Sequence, residues 1–171
     1  MLIMKRILFS LVIALTAVLV SCTVKYSLSG ASIPPDAKTF SVAYFPNNAP
    51  MVAPVLSATM TDELTQRFAS RTSLMQVEEG GDFAFEGEIV GYSSTTSSVS
   101  SGDYALQNRL TISVKVKFTN AIDDKMSFNR NFSAYADYDS TKLLTEVESE
   151  LIPQIVEQLV TDIFQAAASN W

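Results

Sequence analysis

The chain has 171 residues, 12 basic and 18 acidic side chains, a net charge of −6, one cysteine and no histidine. That length fits one domain with a sizeable core, and the acidic balance excludes nucleic-acid binding, or adhesion to anionic lipid, by bulk charge. Without histidine the commonest general base and metal ligand are missing, and one cysteine permits no internal disulfide, so cohesion must come from an ordinary core.

In chain order, Lys5 and Arg6 form a short basic region, and Ile7 to Val20 is an almost unbroken apolar run leading into Ser21-Cys22. The run is shorter than the about 20 residues a spanning helix needs and has the layout of a secretory signal. Its Leu19-Val20-Ser21-Cys22 ending resembles a bacterial lipobox, which is cut before the cysteine and then acylated. Residues 1–21 are therefore expected to be a lipoprotein signal peptide and Cys22 the lipidation site. Residue 23 is threonine, where aspartate would signal retention in the inner membrane, and no acidic export cluster follows. The expected location is the outer membrane, lipid-anchored, on the periplasmic side.

Residues 22–37, rich in Ser, Gly and Pro, read as a lipidated tether, and 38–171 as a single domain. Lys38 to Phe45 reads as a strand with Phe40, Val42 and Tyr44 on one face, broken by Pro46-Asn47-Asn48-Ala49-Pro50. Leu56, Met60, Leu64 and Phe68 then recur every four residues, which predicts a helix over 52–70 with Pro54 in its first turn. Leu74 to Val77 opens the next strand, Gly80-Gly81 turns or bulges it, and Phe83 to Ser93 continues it. Ser93 to Asp103 is polar and reads as a flexible loop.

Leu106 to Thr119 is the clearest strand. Leu110, Ile112, Val114, Val116 and Phe118 face one way, and Arg109, Thr111, Ser113, Lys115, Lys117 and Thr119 the other. Asp123-Asp124 turns the chain into a strand over Met126 to Tyr138. The stripe Leu144, Val147, Leu151, Ile155, Leu159, Ile163 predicts a C-terminal helix, kinked or split near Glu150 to Pro153. The expected fold is α+β: two helices packed on one face of a mixed four-stranded sheet, in the order β-α-β-β-β-α.

No catalytic signature emerges. Glu86 and Glu88 share a strand face at about 6.6 Å, within the range of a glycosidase pair, yet they read as a solvated strand face. Asp137 and Asp139 have only generic spacing for Ca²⁺. The chain is read as no enzyme, with no metal and no cofactor. Arg109, Lys115 and Lys117 share the polar face of one strand and could meet the phosphates of a glycolipid; cross-strand pairing with Glu86 and Glu88 is the plainer account. Arg130 has the parity of Phe128 and Phe132, so it joins this patch only if its strand carries a bulge.

Several stretches resemble the LptE lipoproteins of lipopolysaccharide assembly, in the branch typical of Bacteroidetes-like bacteria. They are Cys22 with Tyr26-Ser-Leu-Ser-Gly30, Phe40-Ser-Val-Ala-Tyr-Phe-Pro-Asn-Asn-Ala49, Leu64-Thr-Gln-Arg-Phe68, Gly81 to Tyr92, and Asn108-Arg-Leu-Thr-Ile-Ser-Val114. The resemblance implies a non-enzymatic outer-membrane lipoprotein that plugs the barrel of the large translocon protein LptD, helps it fold and binds lipopolysaccharide. It also implies two helices on a four-stranded sheet. A surface glycan-binding lipoprotein and a scaffold lipoprotein of another envelope machine, such as barrel assembly, are the alternatives.

Overall fold

The computed structural model describes residues 33–51, 53–97 and 106–168. The signal segment 1–21, Cys22, most of the tether and residues 98–103 of the polar loop lie outside the described residues. The elements are β1 (Thr39–Val42), α1 (Leu56–Arg71), β2 (Met75–Gln76), β3 (Phe83–Ser97), β4 (Gln107–Asn120), a 3-10 turn (Asp124–Met126), β5 (Phe128–Asp139) and α2 (Leu144–Ala168). The sheet order is β2-β1-β3-β4-β5. β1 runs parallel to β2 and β3, and β3, β4 and β5 are antiparallel. The α+β class, the mixed sheet and the two helices are as expected.

The sheet has five strands rather than four. Residues 75–76 do not run on into β3 but pair on the opposite side of β1, and the chain then crosses β1 to reach β3. Val77 N donates to the Phe40 carbonyl at 2.8 Å, and Gly81 N to the buried Ser41 Oγ at 3.2 Å. A Cβ on Gly81 would lie 2.6 Å from both the Phe40 carbonyl carbon and the Ser41 nitrogen. Only glycine allows two backbones to pass that closely. Gly80, at φ +67°, makes the turn into the crossing.

Asp82 fastens the far side. Its carboxylate accepts from Lys38 N at 2.8 Å, Thr39 N at 2.9 Å and Thr39 Oγ1 at 2.9 Å. These bonds, the Lys38 amide first, hold its pKa below the ordinary value. A carboxylate depressed in the fold contributes stability at neutral pH that is lost as pH falls through its folded pKa. Asp82→Ala is therefore expected to lower the melting temperature at neutral pH and to flatten its decline below about pH 4. An acid limb as steep as the parent's would contradict this.

Tyr44, expected on the same face as the buried Phe40, is 63% exposed, and Phe45 is fully buried instead. The register explains the change. Val42 lies opposite Phe85 and Asn47 opposite Ile89, so five steps on one side match four on the other. The extra residue reverses the inside-outside alternation. Phe45 N donates to Thr61 Oγ1 of α1 at 3.1 Å. Its ring occupies the space where a Cβ on Gly87 would sit, a Cβ that would also lie 2.5 Å from the Lys115 carbonyl oxygen.

α1 starts at Leu56, so Pro54 precedes the helix rather than sitting in its first turn. A residue before proline is steered away from helical geometry, which holds Ala53 outside; Val52 lies outside the described residues. α2 is one continuous helix through Pro153 rather than two. Proline cannot donate to the carbonyl four residues back, but Ser149 and Pro153 are both exposed, so water can take that bond.

β3 extends to Ser97, four residues beyond the expected end. Ser93, Ser94, Thr95, Thr96 and Ser97 pair with 107–111 in β4, because a long regular partner strand extends the ladder over polar residues. Met126, expected in a strand, belongs to the 3-10 turn, whose Lys125 N donates to Asp123 Oδ1 at 3.1 Å. The core lies between the sheet and both helices, and Ile33 and Ala37 also pack on it.

Candidate functional site

The sheet face away from the helices is uncovered and polar. Register sorts it into rungs: Glu86–Lys117–Asn129, Glu88–Lys115–Asn131, Gly91–Ser113–Ser133, Ser93–Thr111–Tyr135 and Thr95–Arg109–Asp137. The odd-numbered residues of β4 project here because the even-numbered ones are spent on the core. Alternation alone dictates this composition.

The three cations expected together are not together. Lys115 and Lys117 flank a shallow concavity of about 300 Å³ that also touches Pro46, Glu86, Gly87, Glu88 and Asn129. Arg109 stands six residues further along β4, about 20 Å away. Each cation also meets a neighbour. Lys117 Nζ lies 3.1 Å from Glu86 Oε2, with both side chains more than half exposed. Lys115 sits opposite Glu88, whose carboxylate instead accepts from Asn48 Nδ2 at 2.7 Å. Among the described residues Lys115 has no ion pair.

Arg109 is the most constrained. Its Nε and Nη2 donate to the two Asp137 oxygens at 2.7 and 2.9 Å, and its guanidinium lies 3.7 Å from the centroid of the half-exposed Tyr135 ring. The Asp137 bond raises the Arg109 pKa, and the Arg109 bond lowers that of Asp137. Exposed pairs of this kind are worth little. Lys117→Ala is expected to change stability by less than about 1 kcal/mol, as read by denaturant unfolding; a larger loss would show that the pair is structural.

The cross-strand account of the cations thus holds for Lys117 with Glu86. Arg109 takes Asp137, a partner the sequence reading did not assign. The signal was present: a hairpin centred on Asp123 sets residue 109 opposite 137. Asp139 accepts from Thr141 N at 2.8 Å and Oγ1 at 2.7 Å, which starts the turn into α2. No cluster of three metal-ligating side chains occurs among the described residues. Arg130 is absent from this face, because β4 and β5 pair without a bulge and place it opposite Val116.

On the other face, Tyr92 Oη donates to Glu148 Oε2 of α2 at 2.9 Å. Burial and this carboxylate push the Tyr92 hydroxyl far above its usual range, so it remains a donor that ties β3 to the start of α2. Among the described residues no helix is long and apolar enough to cross a membrane.

The sequence of residues 37–167 matches the LptE family, whose description is lipopolysaccharide-assembly. The chain belongs to that family. An LptE-family chain has a general part in lipopolysaccharide assembly. No curated protein matches the sequence. Among solved structures, a hypothetical protein from Chlamydia trachomatis is similar at a TM-score of 0.53 and 10% identity, covering 78% of this chain and 99% of its own. A protein from Xanthomonas campestris is similar at 0.51 and 14%, covering 78% and 88%. Rare lipoprotein B from Shewanella oneidensis aligns at 0.47 and 14%, covering 75% and 92%. The first two likenesses extend to the fold and no further.

Proposed function

We propose that this LptE-family chain is a non-enzymatic outer-membrane lipoprotein, anchored at Cys22 on the periplasmic side. In this reading it plugs and helps fold a large LptD-like barrel and binds lipopolysaccharide as the lipid is inserted. The observation that supports the plug is the uncovered polar face of β3, β4 and β5. Hydroxyls and locally neutral ion pairs cover it, and such a surface suits a water-filled barrel lumen. Lys115 and Lys117 are the proposed phosphate contacts. Among the described residues Lys115 has no ion pair to give up, and Lys117 can leave an exposed carboxylate at little cost. Arg109, held by Asp137 and Tyr135, is a third and separate contact point.

Affinity purification from detergent-solubilised outer membrane tests this. A large barrel protein is expected to co-purify, and Lys115→Glu with Lys117→Glu is expected to reduce the lipopolysaccharide recovered. Recovery of the chain alone, or with polysaccharide only, would count against the plug. Residues 98–105 join β3 to β4 at the far end of the sheet. Replacing them with a two-residue turn keeps the paired rungs and is expected to weaken recovery of the barrel; unchanged recovery would remove this loop from the interface.

A further inference from the structure

One cation stands on the helix side of the sheet. Arg130 occupies a core-facing position of β5, opposite Val116. Its neighbours on that face, Phe128 and Phe132, are only half-buried, whereas Ala134, Ala136 and Tyr138 further along the strand are buried. The path of α2 accounts for the difference. The helix begins over the buried Tyr138 end of β5, where Tyr92 of β3 reaches Glu148, and ends with Phe164 centred 5.0 Å from Phe68, which lies 5.8 Å from Phe40 of β1. It therefore crosses the sheet diagonally toward β1 and leaves the Phe128 end of β5 without a helix.

The rings of Phe118, Phe128 and Phe132 form a row there, with centroids 5.2 and 5.9 Å apart. The Arg130 guanidinium lies over the row, 4.5 Å from the Phe128 centroid and 5.5 Å from that of Phe132. Arg130 is exposed, and among the described residues it makes neither an ion pair nor a hydrogen bond. An inward-pointing charge can blunt an edge strand against self-association. That accounts for the charge but not for two half-open phenyl rings beside it, which favour association.

An apolar floor under an unpaired guanidinium complements an amphiphile that is negative at its head. The geometry points to this corner as a binding site for an acylated lipid bearing phosphate, with Arg130 on the phosphate and Phe128 and Phe132 against the adjoining acyl chain. The planar fork of arginine suits bidentate phosphate contact, and partly buried aromatic rings gain most from further covering. The corner lies at the same end of the sheet as the start of the described chain. This inference rests on the lipopolysaccharide reading and adds a contact on the face opposite Lys115 and Lys117.

The test uses the full chain in neutral detergent micelles, with short-chain phosphatidic acid as probe and calorimetry as readout. Arg130→Gln is expected to weaken binding about tenfold, the loss of one charge-assisted contact. Arg130→Lys keeps the charge without the fork and is expected to lose about threefold. Inorganic phosphate, and the diacylglycerol lacking phosphate, are each expected to bind far more weakly than the lipid. Parent-like binding by Arg130→Gln, or no binding by the parent chain, overturns the proposal. So does an Arg130→Gln chain that self-associates while binding normally, which would leave edge protection as the role of this residue. Loss of binding in Lys115→Gln with Lys117→Gln, but not in Arg130→Gln, excludes this corner and leaves the lipopolysaccharide reading intact. Binding that depends on Arg130, in a chain that recovers no barrel, would refute the plug and keep this site.

Discussion

Phe68→Ala is expected to destabilise the domain by about 3–5 kcal/mol, the range for removing a fully buried phenyl ring. Phe68 is the last member of the α1 stripe and is fully buried. Its ring lies 4.6 Å from Phe85 of β3, 5.0 Å from Phe164 of α2 and 5.8 Å from Phe40 of β1. One side chain therefore joins both helices to two strands, and the cavity it leaves cannot be closed by moving any single element. Domains of this size have total stabilities of about 5–15 kcal/mol, so the variant should unfold at a much lower denaturant midpoint. A loss below about 1 kcal/mol would mean that neighbouring rings refill the space, and it would contradict the central position assigned to Phe68.

The second large effect concerns location. Cys22→Ala is expected to transfer the chain from the membrane to the soluble fraction without lowering its melting temperature. One acyl chain gives only marginal membrane binding, and two or more give stable anchoring, at about 0.8 kcal/mol per buried methylene. Because the lipobox cut requires the cysteine, the variant is best exported behind a leader removed by an ordinary signal peptidase. Otherwise the retained apolar leader would itself hold the chain on the membrane. The purified variant should partition into the aqueous phase of a detergent-phase separation. Partition into the detergent phase would contradict acylation at Cys22, and loss of the folded domain would show that residue 22 is part of the fold.

The long elements were legible because their periodicity is strong. The period-2 alternation of β4 and the four-residue spacing of Leu56, Met60, Leu64 and Phe68 each assign a burial that the structure repeats residue for residue. What escaped was set by contacts between distant residues. The inward turn of Phe45 depends on one extra residue relative to a strand forty positions away. Leu74 to Val77 read as strand, but that residues 75–76 form a separate strand on the other side of β1 depends on their pairing with β1. The hydroxyl-rich end of β3 reads as loop by composition and is strand through pairing with β4. At the candidate site, alternation placed Arg109, Lys115 and Lys117 on one face correctly. It could not show that Arg109 stands apart from the lysines, bound to Asp137 and covered by Tyr135.

β3 is 15 residues long, which is about 46 Å of extended chain. The first described residues and the last turn of α2 share one end of it, and the Ser97–Gln107 rung lies at the other. With the proposed anchor at Cys22, this makes the sheet a stand-off. Whatever meets the Ser97–Gln107 end is held nearly a domain length from whatever meets the opposite end. Each pair of residues inserted symmetrically into β3 and β4 would move the outer contact by about 7 Å while leaving the phenylalanine cluster around Phe68 untouched. Reach toward a partner can thus be adjusted independently of the stability of the core.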